Sequence, residues 1–489
     1  MPKFNLNEPL ITTAPTVLVE DLPPGRHRFS LIVEDEAGNR SAPSEAFVTV
    51  ASPLPVVSAT IPGFGAWGTQ VRIAGRNFDP TPAKNRVTFN GVLANVEAAT
   101  PEQLTVRVPQ PATTGTVTVQ TSNGEASTAE PFIIPVLTTI GLGTQPFDLD
   151  LDELKNELWI AGGNTQGAGE VLVLSLADQR VTDRIRVEGV PSRIAITAGR
   201  ERRLCVTISP TARNATLINL GTRLVTAVIA LRATPSGLAI SPDGRWAYVT
   251  APADTTRTGS VSVIDLDVAK LITTIPVEPA ATETVFAPNG KEAFVNNLKQ
   301  ALVTVIEVAT HKVTDIVKIG GADEFSVPAI APTTETYPCW TANNNAKTAA
   351  AINANHAVET IALPLAATVA LAARNSKLVF FANAEEKLLA LVSAGRLQPF
   401  EVTPLKLSAP ALAEKSLGVT PDETGLFVVH PRTNQISFFE LGRKISLRCE
   451  VPVAELPTRG LITNDNRFVC VINQRKEALT LVERASVLP

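Results

Sequence analysis

The sequence has few aromatic residues and no long apolar run. Aromatic residues make up 5% of its 489 residues, and only two of them are tyrosine. The longest apolar stretch, residues 362–373, contains a proline. It is shorter than the roughly 20 residues that a helix needs to cross a bilayer. We therefore expect no membrane-spanning segment.

Basic stripes and a secretory signal are also missing. The formal net charge is −4, and Lys and Arg are interleaved with Asp and Glu along the whole chain. Nothing in this pattern would neutralise a row of phosphates, so we expect no nucleic-acid partner. The first residues lack a positively charged region followed by an apolar one. Synthesis in the cytoplasm without a signal peptide is therefore the expectation.

Cysteine is scarce, and no two cysteines lie close enough in sequence to suggest a metal-binding pair. The sequence predicts four reduced, buried thiols, because the first two cysteines fall inside apolar strand patterns. The four are Cys205, Cys339, Cys449 and Cys470.

Small apolar and β-branched residues, with frequent turns between them, dominate what remains. Apolar residues make up 44% of the chain, and 37 prolines and 29 glycines are scattered along it. This composition favours many short strands separated by turns, and the length suggests about three domains. The chain is therefore predicted to be all-β.

Residues 1–52 form the first predicted module. Strands are predicted at residues 16–20, 26–34 and 46–50, with Phe29, Leu31 and Val33 alternating on one face. This segment resembles the final hairpin of immunoglobulin-like and fibronectin-type modules. A complete sandwich takes about 100 residues, so this module is either a minimal version or one that borrows a strand from a partner.

Residues 53–135 form a second module. Residues 65–78 read Gly-Ala-Trp-Gly-Thr-Gln-Val-Arg-Ile-Ala-Gly-Arg-Asn-Phe, and residues 87–91 read Val-Thr-Phe-Asn-Gly. The segment resembles an IPT/TIG module, an immunoglobulin-like sandwich, and that resemblance implies binding or spacing without chemistry. Three glycines are predicted at strand reversals, and three apolar residues are predicted to point inwards. They are Gly68, Gly75 and Gly91, and Val71, Ile73 and Phe78. Trp67, in a turn, is the tryptophan expected to be exposed and is our interaction candidate.

The rest of the chain, residues 136–489, repeats itself. The clearest copy begins at residue 235 and predicts a strand, a turn at Ser-Pro-Asp-Gly, and three further strands. Four antiparallel strands make one propeller blade, and the copies recur about every 40 to 47 residues. We align the large residue of the second strand in eight copies, at Trp159, Cys205, Tyr248, Phe294, Trp340, Phe380, Phe427 and Val469.

These repeats resemble the YVTN family of β-propellers, whose second strand is spelled here Tyr248-Val-Thr. Eight copies predict an eight-bladed propeller. Seven blades, the usual number in that family, is the alternative. Residues 136–142 resemble an outer strand and precede the first blade. We therefore predict that they pair with the last blade and close the ring.

Three alternating carboxylates are the strongest candidates for a metal site. Asp148, Asp150 and Asp152 would share one face of a strand, and clustered carboxylates suit a hard cation such as Ca²⁺. The EF-hand pattern fails, because Glu153 stands where glycine is needed. In the repeat register Asp148 and Asp150 take the places of Gly237 and Ala239, between blades or near the channel, so hydrogen bonding to turns and neighbouring backbone is the favoured interpretation.

No motif for catalysis is found. The four histidines, His27, His311, His356 and His430, lack partners at metal-ligand spacing, and each is predicted to be a solvated loop residue. No nucleophile elbow, zinc-binding helix, Walker loop or haem attachment motif occurs. We therefore predict no catalytic residue and no cofactor, with Ca²⁺ as the weak exception.

The sequence favours a non-enzymatic structural or binding protein that docks in a larger assembly of proteins. One assembly that fits is a bacterial phage-tail-like contractile injection particle, which is built inside the cell and released by lysis. A propeller lactonase-like hydrolase is an alternative, because the repeats resemble those of such enzymes. Asp148, Asp150 and loop arginines such as Arg193 would act there. A surface adhesin or carbohydrate-binding protein is a further alternative, against which the scarcity of tyrosine argues.

Overall fold

The chain forms two compact units in the computed structural model, Met1–Ile134 and Pro135–Pro489. The structure describes residues 7–164, 166–197, 203–253, 258–297, 301–319, 326–331, 337–373, 378–383, 386–393, 401–407, 416–442 and 445–488. Across these residues no helix is long and apolar enough to cross a membrane. Nearly all of the regular structure is β-strand.

The first unit contains a hairpin and two four-stranded antiparallel sheets within its described residues. The hairpin pairs β1 (Gly25–Leu31) with β2 (Ser44–Val50). One four-stranded sheet has the order β3 (Val56–Ile61), β4 (Gln70–Arg76), β8 (Gln103–Arg107) and β7 (Val96–Ala99). The other has the order β10 (Gly124–Ser127), β9 (Val117–Thr121), β5 (Arg86–Phe89) and β6 (Val92–Ala94), and a 3-10 turn spans Pro82–Lys84.

The two four-stranded sheets enclose one apolar core. The predicted inward row is confirmed, because Val71, Ile73 and Phe78 are all buried in it. The rings of Phe89 and Phe132 meet edge to face in the same core, with their centroids 5.0 Å apart. This segment is therefore a β-sandwich of the expected kind.

Two of the three glycines predicted at strand reversals of the sandwich lie there, and the third does not. Gly68 and Gly91 lie in turns with φ of +85°, as predicted. Gly75 lies inside β4 and not at a strand reversal, so that prediction was wrong. A Cβ atom at Gly75 would overlap the backbone oxygen of Val56 and the ring of Phe78. Close approach, and not turn geometry, requires this glycine.

The N-terminal segment also differs from the prediction. The predicted strand at residues 16–20 is absent, and only Leu18 makes a single bridge. The first predicted module therefore reduces to the hairpin of β1 and β2.

The second unit consists of eight four-stranded antiparallel sheets in the part of the chain that the structure describes. Sheet 1 contains β12 (Gln145–Asp152), β13 (Glu157–Gly163), β14 (Gly169–Ser175) and β15 (Arg180–Val187), and sheet 2 contains β16 (Arg193–Ile196), β17 (Leu204–Ser209), β18 (Asn214–Asn219) and β19 (Val225–Ala230). Sheet 3 contains β20 (Gly237–Ile240), β21 (Trp246–Ala251), β22 (Gly259–Asp265) and β23 (Lys270–Val277). Sheet 4 contains β24 (Ala281–Phe286), β25 (Glu292–Asn297), β26 (Leu302–Glu307) and β27 (Lys312–Lys318).

Sheet 5 contains β28 (Ser326–Ala331), β29 (Cys339–Asn343), β30 (Thr348–Ile352) and β31 (Val358–Ala362), and sheet 6 contains β32 (Val369–Ala372), β33 (Leu378–Ala382), β34 (Leu388–Ser393) and β35 (Glu401–Lys406). Sheet 7 contains β36 (Leu417–Val419), β37 (Gly425–His430), β38 (Gln435–Glu440) and β39 (Ser446–Pro452). Sheet 8 contains β40 (Pro457–Ile462), β41 (Phe468–Asn473) and β42 (Ala478–Glu483), together with β11 (Leu137–Gly141). A single helical turn, α1 (Arg484–Val487), follows β42.

Each sheet packs face to face against the next one. Separate apolar cores join sheets 1 through 7 in sequence, and another joins sheet 8 to sheet 1. The first strand of sheet 7 contacts that of sheet 8, where Gly460 leaves room for the ring of Phe427. The sheets therefore form a closed ring, and the unit is a β-propeller.

The predicted closing strand is confirmed. β11 pairs antiparallel with β42, from Leu137 opposite Val482 to Gly141 opposite Ala478. The backbone nitrogen of Val136 also donates to the hydroxyl of Ser486, 350 residues away in the chain. The start of the unit thus supplies the outer strand of its last sheet.

The repeat alignment was wrong by one residue in two copies. The aligned residue faces the following sheet in six copies, as Trp159 does. In sheet 2 the side chain of Val206 faces the following sheet, whereas Cys205 faces the preceding one. In sheet 8 Cys470, and not the aligned Val469, faces the following sheet. A shift of one residue moves a side chain to the opposite face of its strand.

The fourth strands share a local irregularity. Sheets 1, 2, 3, 4 and 7 each carry one extra residue there, at Thr182, Thr226, Ile272, Thr314 and Arg448. In the three threonine cases the hydroxyl donates to a carbonyl oxygen of the third strand, at 3.2, 3.2 and 3.4 Å. The threonine hydroxyl therefore closes the gap that the bulge opens in the ladder.

Candidate functional site

The three candidate carboxylates lie on β12, the inner strand of sheet 1. Asp148, Asp150 and Asp152 pair with Ala161, Trp159 and Glu157 of β13, so they share one face as predicted. Asp148 and Asp152 are fully buried, and Asp150 is half-buried. What each carboxylate contacts decides whether the group could hold an ion.

Asp148 and Asp150 satisfy the backbone of the neighbouring sheet. The N–H groups of Ile194 and Ile196 in β16 donate to Asp148 Oδ2 at 3.1 Å and to Asp150 Oδ2 at 2.8 Å. These donors lie on the inner strand of sheet 2, and among the described residues no further strand pairs with its inner edge. The two carboxylates therefore join sheet 1 to sheet 2 by accepting hydrogen bonds from the backbone of its inner strand.

Asp148 also forms an ion pair with sheet 8, the neighbour of sheet 1 on its other side. Its Oδ1 lies 3.0 Å from Nη1 of Arg459 on β40 of sheet 8, and both side chains are almost completely buried. Arg459 pairs with Ile472 just as Asp148 pairs with Ala161, so the two residues hold equivalent repeat positions. The carboxylate of Asp148 thus connects three sheets at the point where the ring closes.

Asp152, the last residue of β12, contacts the following turn and an arginine. Its Oδ1 accepts the backbone N–H groups of Leu154 and Lys155 at 3.1 and 3.3 Å, and it pairs with Arg203. No cluster of three potential metal ligands occurs in the described ranges. These contacts support the favoured interpretation of the three carboxylates, hydrogen bonding to turns and neighbouring backbone.

Arg193, named above as a loop arginine, lies instead at the start of β16. It pairs with Ile208 of β17, which places it at the repeat position of Asp148 on the adjacent sheet. The inner strands of sheets 8, 1 and 2 therefore carry Arg459, Asp148 and Arg193 side by side.

The histidines are not all solvated, contrary to the prediction. His27, His311 and His356 are half-buried, whereas His430 is fully buried at the end of β37. Its Nε2 lies 2.7 Å from the hydroxyl of Ser437, which donates to Glu450 at 3.1 Å. A buried histidine needs such a partner, but no spacing in the sequence reveals it, since the contacts run between different strands.

The four cysteines are free and buried, as predicted. Burial raises the pKa of each thiol above its ordinary value, in Cys449 to about 12. Thiols in such surroundings are weak nucleophiles.

Trp67 lies in the turn before β4 and is 48% exposed. Its indole Nε1 donates to the backbone oxygen of Ala112 at 2.8 Å, which fixes the orientation of the ring. Trp159 and Trp340 are fully buried in the propeller, and Trp246 is half-buried. Trp67 therefore remains an interaction candidate on the sandwich surface.

The hairpin of β1 and β2 presents an uncovered apolar face. Phe29, Leu31 and Val48 lie on one side of it, because cross-strand partners share a face and alternate residues do. Leu31 is 63% exposed and Val48 44% exposed, and Val33 continues the row with 60% exposure. We call this row the hairpin apolar face. Apolar rows on a sheet are normally covered by a second layer.

The opposite face of the hairpin is charged. The guanidinium of Arg26 lies 4.2 Å from the ring centre of Phe47, and Arg28 pairs with Glu45 at 3.6 Å. The turn beyond the strands is well formed, since Asp35 accepts the backbone N–H groups of Ala37 and Asn39. The two faces of the hairpin therefore differ in charge, and Phe47 on the charged face is itself 54% exposed.

Comparison with known families identifies the sandwich. Residues 55–133 match the model of the IPT/TIG domain. This match covers only the sandwich segment, and no curated protein matches the chain.

Several solved structures resemble the chain at low identity. Hydrazine synthase of Kuenenia stuttgartiensis is 16% identical with a TM-score of 0.48, covering 70% of this chain and 96% of that chain. A functionally unknown protein from Desulfotomaculum acetoxidans is 14% identical with a TM-score of 0.48, covering 62% and 96%. An auxiliary nutrient binding protein from Bacteroides thetaiotaomicron is 14% identical with a TM-score of 0.44, covering 88% and 97%. At these scores the similarities say nothing about activity.

Proposed function

We propose that the protein is a non-enzymatic structural protein that docks into a larger assembly, with the hairpin apolar face as one of its contacts. The observation that carries this proposal is the exposure of Leu31, Val33 and Val48 on a two-stranded sheet. A lone hairpin is only marginally stable in water, and an immunoglobulin-like module needs a second sheet. A partner protein that presents its own apolar sheet face would supply that layer.

Photo-crosslinking tests this contact. A benzophenone amino acid at Leu31 probes the apolar face, and the same group at Ser30 probes the charged face of the same strand. We expect a covalent adduct with another protein from position 31 but not from position 30 in the producing cell. Equal yields at both positions, or none at either in the assembled state, would contradict the proposal.

Charge insertion gives a matched pair of variants. Leu31→Glu should release the protein from its assembly, because a buried carboxylate would lack a partner there. Thr49→Glu adds the same charge on the charged face, directly opposite Arg26, and should leave the association intact. The measurement is the fraction of the chain that sediments with the assembly.

The kind of assembly that we propose is a bacterial phage-tail-like contractile injection particle, released when the producing cell lyses. The combination of an IPT/TIG module with a propeller supports this, since both are docking modules, and we propose that the propeller repeats are of the YVTN kind. The chain should then sediment with sheath and tube proteins in particles from a lysate. Recovery of the chain only as a free monomer would contradict the proposal of a contractile particle.

The contacts of Asp148 argue against the hydrolase alternative. A carboxylate that is fully buried, and that holds both Arg459 and the backbone of Ile194, is not available to a substrate. Lactone hydrolysis by the full chain should therefore be undetectable. Measurable lactone hydrolysis by the purified full chain would favour the hydrolase alternative.

A further inference from the structure

One turn position recurs around the propeller, and in sheets 2, 4 and 5 its side chain contacts the preceding sheet. The hairpin between the third and fourth strands contains a residue with φ between about +50° and +63° in sheets 1 to 5. These residues are Gln179, Arg223, Ala269, His311 and His356. We call them the turn residues.

Arg223 shows what this position does in sheet 2. Its Nη2 lies 2.7 and 2.6 Å from the two carboxylate oxygens of Glu157 in sheet 1. Its Nε lies 3.6 Å from Asp183 of the same sheet. A permanent cation therefore bridges two carboxylates across the boundary between sheets 1 and 2.

His356 makes the equivalent contacts in sheet 5. Its Nε2 lies 2.9 Å from Glu292 Oε1, and its Nδ1 lies 2.9 Å from Asp315 Oδ2, both in sheet 4. The side chain of His356 is 17% exposed, similar to the 18% of Arg223.

The carboxylates correspond residue by residue. Glu157 and Glu292 each begin the second strand of their sheet. Asp183 and Asp315 each pair with a valine of the third strand, and each directly follows the extra residue of the fourth strand. His356 therefore stands where the first boundary has arginine.

Imidazole can satisfy both carboxylates only when it is protonated. The neutral ring has one N–H donor and one lone pair, whereas imidazolium has two donors. In the neutral form one ring nitrogen would direct its lone pair at a carboxylate oxygen. We propose that His356 is a protonation-dependent lock, which holds sheets 4 and 5 together as imidazolium and loosens this boundary when the ring loses its second proton.

His311 provides an internal comparison at the boundary between sheets 3 and 4. Trp246 begins the second strand of sheet 3, and Thr273 takes the place of the aspartate. The ring of His311 lies edge to face with Trp246 and 2.9 Å from the hydroxyl of Tyr248. Burial, together with the nearby charge of Arg245, lowers the pKa of His311. This histidine thus sits among aromatic groups that suit a neutral ring.

Other charged residues lie close to the lock. Glu307 is opposite Glu292 in the ladder and adds negative charge, whereas Lys312 is opposite Glu307 and Lys291 precedes Glu292. On the side of sheet 5, Glu359 accepts the hydroxyl of Tyr337 at 2.6 Å. The two lysines offset part of the negative charge, but neither supplies the second donor that the carboxylates facing His356 need.

Hydrogen exchange of the full chain at pH 6 and pH 8 tests the lock. After correction for the chemical exchange rate, we expect opening of the 312–318 and 348–362 peptides to increase about tenfold from pH 6 to pH 8. In His356→Arg the same peptides should stay protected at both pH values, as the permanent cation of Arg223 implies. In His356→Gln they should be open at both.

His311→Gln is the matched control, since it removes the other histidine at an equivalent position without touching the carboxylates. It should leave the pH response of the 312–318 peptide unchanged. The proposal fails if His356→Arg and the natural chain show the same pH response, or if His356→Gln retains it. A fold defect in one variant would appear as loss of protection in all sheets, which distinguishes it from local opening.

Discussion

Single buried charges hold the inner strands of the propeller together. Asp148 accepts a backbone N–H group from sheet 2 and pairs with Arg459 of sheet 8, so one carboxylate contributes to two boundaries. A buried ion pair adds little net stability over an apolar pair, but the loss of one member is costly.

Replacement of Asp148 should therefore be severe. In Asp148→Ala the guanidinium of Arg459 would keep its buried position without this carboxylate, and we expect a loss of about 3–5 kcal/mol in the free energy of unfolding. Asp150→Ala, at a half-buried site, should cost only about 1–2 kcal/mol. Urea unfolding of both variants measures the difference, and equal losses would contradict this role for Asp148.

A double variant separates the ion pair from the hydrogen bonds. Asp148→Ala with Arg459→Met should recover part of the loss, because no buried charge is left behind. A loss at least as large as the two single losses combined would mean that the pair itself is not what Asp148 stabilises.

Some of these contacts could be predicted from the sequence. The alternation of Asp148, Asp150 and Asp152 placed them on one strand face, and their register against the clearest repeat indicated a position between sheets. The partner Arg459 could not be predicted, because it is joined to Asp148 only by closure of the ring. The burial of His430 was missed for a similar reason, since Ser437 and Glu450 lie on other strands.

At the scale of single strands, the repeat was recognised more reliably than its register. Trp159 and Tyr248 stand out in their strands by size, and the structure agrees with their alignment. All six residues of β17 are buried, as are all six of β41. A strand that is apolar on both faces carries no alternation from which the register could be inferred, which explains the one-residue errors at Cys205 and Val469.

The bulge threonines give a prediction at this scale. Thr182→Val, Thr226→Val and Thr314→Val should each lower the free energy of unfolding by about 1 kcal/mol, because each removes the hydroxyl that completes the ladder. Ile272→Thr in sheet 3 would introduce the missing hydroxyl and should stabilise the protein by a similar amount. Denaturant unfolding measures all four, and a Thr→Val series with no loss would show that the hydroxyls are dispensable.

For the whole molecule, the sequence predicted the fold class and the closing strand, and it failed at the N-terminal module. The predicted strand at residues 16–20 was based on a short apolar run, and such runs are also found in extended segments without a ladder. The match of residues 136–142 to the outer strand at residues 271–277 was more informative, because it compares one whole strand of the clearest copy with another.

The closing strand can be weakened selectively. Ile140 of β11 packs on the core between sheets 8 and 1, whereas Thr138 on the same strand is exposed. Ile140→Asp should detach β11, lower the unfolding temperature by several degrees and expose the edge of β42 to proteases. Thr138→Asp should change both measurements little. Similar behaviour of the two variants would mean that β11 does not depend on this packing.

The pairing of β11 with β42 has a consequence for how the protein is made. Val136 and Ser486 are 350 residues apart, so a ribosome that adds about 5–20 residues per second needs roughly 20–70 s to deliver the second after the first. During that time β11 has left the ribosome but its neighbour in the sheet does not yet exist. The nascent chain must therefore carry an unmatched strand through almost the entire translation of the domain, and a chaperone that shields residues 137–141 would act in this interval.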